Sequence, residues 1–248
     1  MAFKTAIGYE NDAHPAAEML AAANQIGASY VRIIANTGSD RAVIADRMRQ
    51  AKAAGKKIIL TIGDAPGGAH RNPTPGAALK LIAGLPQADQ YTYTNEPDQT
   101  GRRAKQYAND WRTVRKVVGS RLLLGDISPT GVGWLANVEK ELRHRQAGRP
   151  VDVALHPYSF NPNWGGSLAN IRGARRTLER AGGSKVNWWF TEYGRQPSQQ
   201  GQLGMDLQRA RDARARALVL YDVQSPSGWS TALSDRSRAL MLAASANR

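Results

Sequence analysis

Short apolar segments alternate with segments that mix apolar and polar residues, and this alternation runs the length of the 248-residue chain. Eight short segments are rich in β-branched, aromatic and other apolar residues, as buried parallel strands are. They cover residues 4–10, 30–36, 56–64, 88–96, 121–128, 151–158, 186–193 and 217–224. The pattern therefore predicts eight strands.

The segments between these strands have the apolar spacing of amphipathic helices. They cover residues 14–27, 40–55, 75–84, 102–118, 134–146, 168–181, 204–216 and 235–246. Asp40 and Ser234 have side chains suited to helix N-caps. The residues expected to end helices are Gly27, Gly55, Gly119, Gly148 and Gly182.

Eight strand–helix units of about 30 residues each predict an α/β fold, the (β/α)8 or TIM barrel. The competing arrangement is an open, doubly wound sheet, which would have a glycine-rich phosphate-binding turn after its first strand. Residues 8–12, Gly-Tyr-Glu-Asn-Asp, do not form such a turn. No linker or low-complexity segment divides the chain, so residues 1–248 are expected to form a single domain.

The amino-acid composition excludes several kinds of functional site. The chain has no cysteine, which excludes disulfides and thiolate metal sites, and its four histidines lack the spacing of metal ligands. We therefore predict neither a metal nor a cofactor. No stretch approaches the roughly 20 apolar residues of a membrane span, and the first residues lack the apolar run of a signal peptide. A cytoplasmic location, or release by a leaderless route to act on an extracellular glycan, is the expectation.

The formal net charge is +14, from 34 basic and 20 acidic residues. Such a charge attracts polyanions, among them nucleic acid and anionic polymers of the cell envelope. Solvated outer helix faces account for most of the arginines. No zinc-finger, RNP-like or helix-turn-helix motif supports specific nucleic-acid binding. An anionic cell-envelope polymer remains a candidate partner.

Active sites of such barrels lie at the carboxyl ends of the strands. The residues at these ends are Glu10, Arg32, Asn36, Asp64, Asn95, Glu96, Asp126, His156, Tyr158, Glu192 and Asp222. They form a polar, largely acidic ring, and converging polar groups above an apolar barrel suit a sugar-binding site. For Asp64, Asp126 and Asp222, substrate contact and a purely structural role are both open.

Two of these strand ends carry a recognisable pattern. Residues 93–97 read Tyr-Thr-Asn-Glu-Pro at the end of strand four, and residues 189–194 read Trp-Phe-Thr-Glu-Tyr-Gly at the end of strand seven. In this respect the chain resembles clan A of the glycoside hydrolases, a superfamily of (β/α)8 barrels that act with retention. The resemblance follows strand order through the whole chain. It implies that Glu96 is the acid/base and Glu192 the nucleophile.

The resemblance extends to supporting residues. His156 and Tyr158 resemble the His/Tyr pair beside the clan's nucleophile, and Arg32 resembles its strand-two arginine. It implies that Tyr158 and Arg32 orient the nucleophile and that His156 contacts the acid/base or a sugar hydroxyl. Asn95 would bind the hydroxyl next to the reacting carbon.

Tryptophans in loops are candidate platforms for sugar rings, because the C–H faces of sugars pack on flat aromatic surfaces. Trp164 follows strand six and Trp229 follows strand eight, both among Gly and Pro residues. The clan often has a Trp at the end of strand eight, where this chain has Tyr221 or Trp229. The remaining tryptophans are expected to pack: Trp111 and Trp134 in helices, and Trp188 and Trp189 on opposite faces of strand seven.

We therefore predict a retaining glycoside hydrolase that binds and cleaves a polysaccharide, which could be a cell-wall or envelope glycan. The alternative is an inactive carbohydrate-binding or assembly protein on a hydrolase-like barrel. The presence of both Glu96 and Glu192 argues against that alternative. Mostly short loops predict a shallow cleft and cleavage within the polymer.

Overall fold

The computed structural model describes residues 3–9, 15–63, 72–145, 151–158, 161, 163–194, 202–221, 241 and 243. Within them eight parallel strands alternate with seven α-helices. The strands are β1 (Lys4–Tyr9), β2 (Tyr30–Ala35), β3 (Lys57–Ile62), β4 (Gln90–Tyr93), β5 (Leu124–Ile127), β6 (Val151–Leu155), β7 (Val186–Tyr193) and β8 (Ala217–Tyr221). The helices are α1 (Ala16–Gln25), α2 (Arg41–Ala53), α3 (Pro75–Ala83), α4 (Ala104–Val118), α5 (Val132–Arg145), α6 (Ile171–Gly182) and α7 (Leu203–Asp212).

The strands form one sheet in the order β4-β3-β2-β1-β8-β7-β6-β5. Its two outer strands meet, because Tyr91 in β4 forms a parallel bridge with Leu122 just before β5. Leu123 N also donates to the carbonyl of Tyr91 at 2.9 Å. The sheet is thereby closed, and the predicted (β/α)8 barrel is confirmed.

Several predicted boundaries were wrong by a few residues. β4 ends at Tyr93 rather than residue 96, because Thr94 (φ 66°) leaves the extended conformation. β5 starts at Leu124 rather than residue 121, because residues 119–121 form a 3-10 helix. Of the predicted eighth helix, only residues 241 and 243 lie among the described residues, and both are helical.

Among the residues predicted to cap or end helices, Asp40 agrees with the structure and Gly182 is displaced by one residue. Asp40 caps α2 as predicted, because its carboxylate accepts a hydrogen bond from Ala42 N at 2.8 Å. The predicted end of α6 is off by one residue. Gly182 is still helical, and Gly183 takes the left-handed conformation (φ 72°) that closes the helix. Gly148 and Ser234 lie outside the described residues.

The strands are buried on both faces. A large apolar cluster fills the space between the strands and the surrounding helices and includes Trp188, while Trp111 also packs there as predicted. A second cluster lies inside the barrel and consists of Ala6, Tyr30, Ile59, Leu123, Ala154, Trp189, Ala217 and Val219. Trp188 and Trp189 therefore face opposite sides of β7, as predicted.

The next inward-facing residues along the strands form a layer above the interior cluster. Side chains alternate along a strand, so residues two positions further on face the same interior. Two positions after Tyr30, Ile59, Ala154 and Trp189 come Arg32, Thr61, His156 and Thr191, and all four are buried. An apolar floor therefore supports a polar layer, one step nearer the carboxyl ends of the strands. Among the described residues, no helix is long and apolar enough to cross a membrane.

Candidate active site

Glu96 reaches the mouth of the barrel through an unusual backbone. Both Thr94 (φ 66°) and Glu96 (φ 43°) have left-handed conformations, which residues other than glycine rarely adopt. The surroundings hold this segment in place: Thr94 N donates to the Ile62 carbonyl and Glu96 N to the Asp126 carbonyl, both at 2.9 Å. Pro97 then starts a short 3-10 helix. The turn leaves the Glu96 side chain 21% exposed, so its carboxylate is accessible from the barrel mouth.

Glu192 lies one residue before the end of β7. Because Thr191 faces the interior, strict alternation would direct Glu192 toward the helices. The pairing of β7 with β8 is irregular between Phe190 and Tyr193, and such irregularities redirect side chains. The Glu192 carboxylate accepts hydrogen bonds from Arg32 Nη1 at 2.9 Å and from the hydroxyl of Tyr158. Its side chain is 9% exposed.

His156 connects the two glutamates. Its Nδ1 atom lies 2.9 Å from Glu96 Oε1 and 3.7 Å from Glu192 Oε2, and its Nε2 atom lies 3.2 Å from Asp126 Oδ1. Burial alone disfavours a charged ring, but the charges of Glu192 and Asp126 outweigh burial and raise the pKa of His156 to about 10. The ring is therefore a cation at neutral pH, and both of its nitrogens are donors.

Arg32 lies beneath the site and is 1% exposed. Its guanidinium donates to four side chains: Thr61 Oγ1 at 2.9 Å, Glu192 Oε2 at 2.9 Å, Asn95 Oδ1 at 2.8 Å and Asp126 Oδ2 at 3.0 Å. Burial opposes its charge, yet Asp126 and Glu192 raise the pKa of Arg32 still further. Arg32 therefore supplies permanent positive charge under Glu192 and orients Asn95.

The structure thus brings six of the eight predicted site residues together: Arg32, Asn95, Glu96, His156, Tyr158 and Glu192. With its oxygen bound to Arg32, Asn95 presents its amide NH2 as a donor. Trp164 lies in the loop after β6 and is partly exposed. That loop is anchored by Gly166 N, which donates to the Pro129 carbonyl. Trp229 lies outside the described residues, as do Asp64 and Asp222.

Sequence reasoning left Asp126 open and missed the threonines around it. Asp126 is fully buried beneath the two glutamates. Thr61, Thr92 and Thr191 all donate hydroxyl protons to its carboxylate. The available signal was a threonine at an inward-facing position near the carboxyl end of each of three strands. It was easily overlooked, because threonine is also common in strands for reasons of packing.

The site therefore combines three carboxylates with two buried cations. It lies in a chain whose overall charge is strongly positive. Among the described residues, no group of three or more His, Cys, Asp or Glu side chains is arranged to hold a metal ion. Chemically, the arrangement offers two carboxylates at the barrel mouth, each with its own donors.

Comparison with known proteins places the fold. No protein-family model matches the sequence, and no curated protein matches it. The chain is structurally similar to XacCel5A, with a TM-score of 0.68 at 15% identity over 99% of both chains. It is also similar to the catalytic domain of a hyperthermophilic chitinase from Pyrococcus furiosus, with a TM-score of 0.67 at 13% identity, over 97% of this chain and 92% of that one.

A third solved structure, the endoglucanase Cel5A from Pseudomonas stutzeri, has a TM-score of 0.61 at 14% identity, over 99% of this chain and 94% of that one. Cellulases and chitinases with (β/α)8 barrels are thus similar to this chain over nearly its full length. At these identities the likeness shows the fold alone, and the chemistry must be argued from the residues of this chain.

Proposed function

We propose that this protein is a retaining glycoside hydrolase that cleaves a polysaccharide with Glu192 as nucleophile and Glu96 as acid/base. The observation that carries the proposal is the shared contact of both carboxylates with His156 Nδ1, at 2.9 Å and 3.7 Å. Two acidic side chains on one ring nitrogen at a barrel mouth form the kind of carboxyl pair that glycosidic bond cleavage requires.

The shared contact with His156 limits the distance between one oxygen of Glu96 and one oxygen of Glu192. Both oxygens contact His156 Nδ1, so the distance between them cannot exceed the sum of their two distances to that nitrogen. Carboxyl groups lie about 5–5.5 Å apart in retaining enzymes and about 6.5–9.5 Å apart in inverting ones, which need room for a water. For these two oxygens the limit lies at the bottom of the inverting range, so the contact is compatible with the retaining separation.

In the first step a Glu192 oxygen forms a bond to the anomeric carbon while the bond to the leaving oxygen breaks. The carboxylic proton of Glu96 moves to that leaving oxygen. In the second step a water oxygen attacks the same carbon, one water proton returns to Glu96, and the ester bond to Glu192 breaks. Two displacements restore the original configuration.

The supporting residues have roles that fit this chemistry. Arg32 and Tyr158 donate to the two oxygens of Glu192, which stabilises its negative charge and aims it at the carbon. The NH2 group of Asn95 would donate to the sugar hydroxyl next to the reacting carbon, a contact that strengthens in the transition state. Trp164 would pack against the face of a neighbouring sugar ring.

The ligands of the similar barrels support a proposal for the substrate class. One solved structure of XacCel5A is described as a complex with cellopentaose, and one of the Pyrococcus furiosus chitinase as a complex with chito-oligosaccharides. We infer a β-linked polysaccharide for this chain as well, bound in an open cleft and cleaved internally. The basic surface favours an anionic glycan such as a cell-envelope polymer. Such a preference would weaken as salt is raised, whereas cleavage of a neutral glycan would respond little.

The experiment is hydrolysis of a panel of polysaccharides and aryl glycosides by wild type, Glu192→Gln and Glu96→Gln. Glu141→Gln is the control, because Glu141 is a partly exposed acid on α5. We expect losses on the order of 1,000-fold or more in both site variants, since each removes a group that acts in the transition state. Proton NMR of the first product should show the configuration of the substrate. Full activity in either site variant would refute the proposal, and binding without product by wild type would favour the inactive sugar-binding alternative.

A further inference from the structure

We propose that Asp126 is the positioning residue of this site: its one buried carboxylate holds both cations, Arg32 and His156, in place beneath the two glutamates. This deepens the proposed function by naming the group on which the geometry of the site depends. Asp126 lies in β5, a different strand from the two that lead to the glutamates, and it is completely buried. It reaches no substrate, and its action is exerted through its neighbours.

The contacts of Asp126 divide between its two oxygens. Oδ1 accepts from His156 Nε2 at 3.2 Å and from the hydroxyl of Thr191. Oδ2 accepts from Arg32 Nη2 at 3.0 Å, Thr92 Oγ1 at 2.9 Å and Thr61 Oγ1 at 3.4 Å. Each oxygen thus binds one cation, and threonine hydroxyls from β3, β4 and β7 fix the plane of the carboxylate. A fully satisfied buried network of this kind holds one arrangement.

The backbone supports the same inference. Asp126 has φ 72°, a left-handed conformation inside a strand, and the register of β5 with β6 shifts between Gly125 and Ile127. Its carbonyl accepts from Glu96 N. Strained conformations of this kind persist where surrounding contacts enforce them, and they cluster at functional sites. The residue therefore anchors the Glu96 turn by its main chain and His156 by its side chain.

Charge explains why a carboxylate is needed. His156 faces Glu96, Asp126 and Glu192 directly, with Tyr158 beyond it in the same segment, while Arg32 faces Asp126 and Glu192. Burial alone would raise the pKa of Asp126, but Arg32 and His156 hold it well below its usual range. A permanent anion under the site keeps the His156 ring charged, so that Nδ1–H points at Glu96 and Glu192. Without that anion the ring would lose its second proton more easily.

The test uses 15N-histidine NMR on the protein without substrate, so its outcome does not depend on glycosidase activity. In wild type we expect both ring nitrogens of His156, assigned with His156→Gln, to be protonated at pH 7–8. In Asp126→Asn the pKa of His156 should fall by at least about 1, and kcat should fall at least tenfold with KM changed less than about threefold. Asp206→Asn is the matched control: Asp206 is also fully buried, but it lies in α7 and accepts from Tyr193 and Arg209.

Thr191→Val is a second variant that tests the contact even where Asp126→Asn does not fold. It removes a competing donor from the oxygen that binds His156 Nε2. We expect the Nε2 signal to shift while the Nδ1 signal stays in place. A neutral His156 in wild type at pH 7, or an Nε2 signal unmoved in Thr191→Val, would overturn the proposal. The same holds if Asp126→Asn and Asp206→Asn leave the His156 titration equally unchanged. If the NMR result holds and no glycan is cleaved, only the proposed function fails.

Discussion

Arg32 and Glu192 are 160 positions apart in the chain, and Arg32 Nη1 lies 2.9 Å from Glu192 Oε2 inside the barrel mouth. Their side chains are 1% and 9% exposed. A charge pair so far removed from water carries a large desolvation cost and is stable only with further hydrogen bonds. Arg32 meets this condition, because it also binds Thr61, Asn95 and Asp126. The pair is therefore expected to contribute both to the stability of the barrel and to the chemistry of the site.

Replacing Arg32 should therefore lower stability as well as activity. We expect Arg32→Met to reduce the free energy of unfolding by about 3–5 kcal/mol, because it removes one of the two buried cations that compensate the charges of Asp126 and Glu192 and leaves His156 to compensate both. Urea denaturation at neutral pH measures the change. Arg216→Met is the control: Arg216 pairs with Asp152 at 3.2 Å, but both side chains are more than a quarter exposed. Such a pair contributes about 0–1 kcal/mol, so equal losses in the two variants would contradict the assignment.

Azide can distinguish the roles of the two glutamates. In Glu192→Gly, azide should take the place of the missing nucleophile and yield a glycosyl azide of inverted configuration. In Glu96→Ala, it should instead attack the glycosyl-enzyme and yield a glycosyl azide of retained configuration. An aryl glycoside with a good leaving group and NMR of the product measure this. Glu141→Ala, with its acid outside the site, should give no azide product. The opposite pair of configurations would exchange the two roles.

Trp164 tests the predicted sugar platform. Trp164→Ala should raise KM roughly fivefold to tenfold with little change in kcat, because it removes the packing of a sugar face without touching the reacting groups. Trp164→Phe keeps an aromatic face and should stay close to wild type. Initial rates over a range of substrate concentrations give both constants. An unchanged KM in Trp164→Ala would remove this residue from the binding site.

Glu139 lies away from the site, and its buried carboxyl group leads us to predict how the stability of the protein depends on pH. It lies in α5 with only 4% of its surface exposed, and its carboxylate packs so closely on Gly182 that a Cβ there would lie 2.6 Å from Oε2. Burial raises the pKa of Glu139 to about 7 from an ordinary value of 4.5. Between these pH values the unfolded chain releases a proton that the folded protein keeps, so stability falls as pH rises through this window.

Above pH 7 Glu139 is ionised in the folded protein, and its burial then lowers the free energy of unfolding by the full amount, on the order of 3 kcal/mol. We expect Glu139→Gln to be more stable than wild type at pH 8 and to differ from it much less at pH 4. Urea denaturation at a series of pH values checks this. Glu141→Gln on the same helix, where the side chain is partly exposed, should follow the wild-type curve. A constant difference between Glu139→Gln and wild type at all pH values would show that Glu139 does not titrate in this way.

Much of the fold was predictable because a buried parallel strand and an amphipathic helix each leave a local pattern. The eight-fold alternation needs no knowledge of distant contacts, and neither does the placement of Glu96, His156 and Glu192 at strand ends. Strand boundaries were less accurate. β4 ends at Tyr93 because the next residues follow a turn held by Ile62 and Asp126, and hydrogen bonds from other strands are not visible in a local pattern.

The sequence by itself determined which strands carry the candidate chemistry, since strand order and side-chain alternation already direct Arg32 and His156 toward the barrel interior. Only the tertiary structure decided how these groups pair. Closure of the sheet brings β2, β5 and the end of β6 together, where Asp126 becomes the common partner of Arg32 and His156. The physical reason is that the protonation and the hydrogen bonding of a buried ionisable group depend on the groups that surround it in space. Those neighbours come from strands separated by up to 160 residues in the chain.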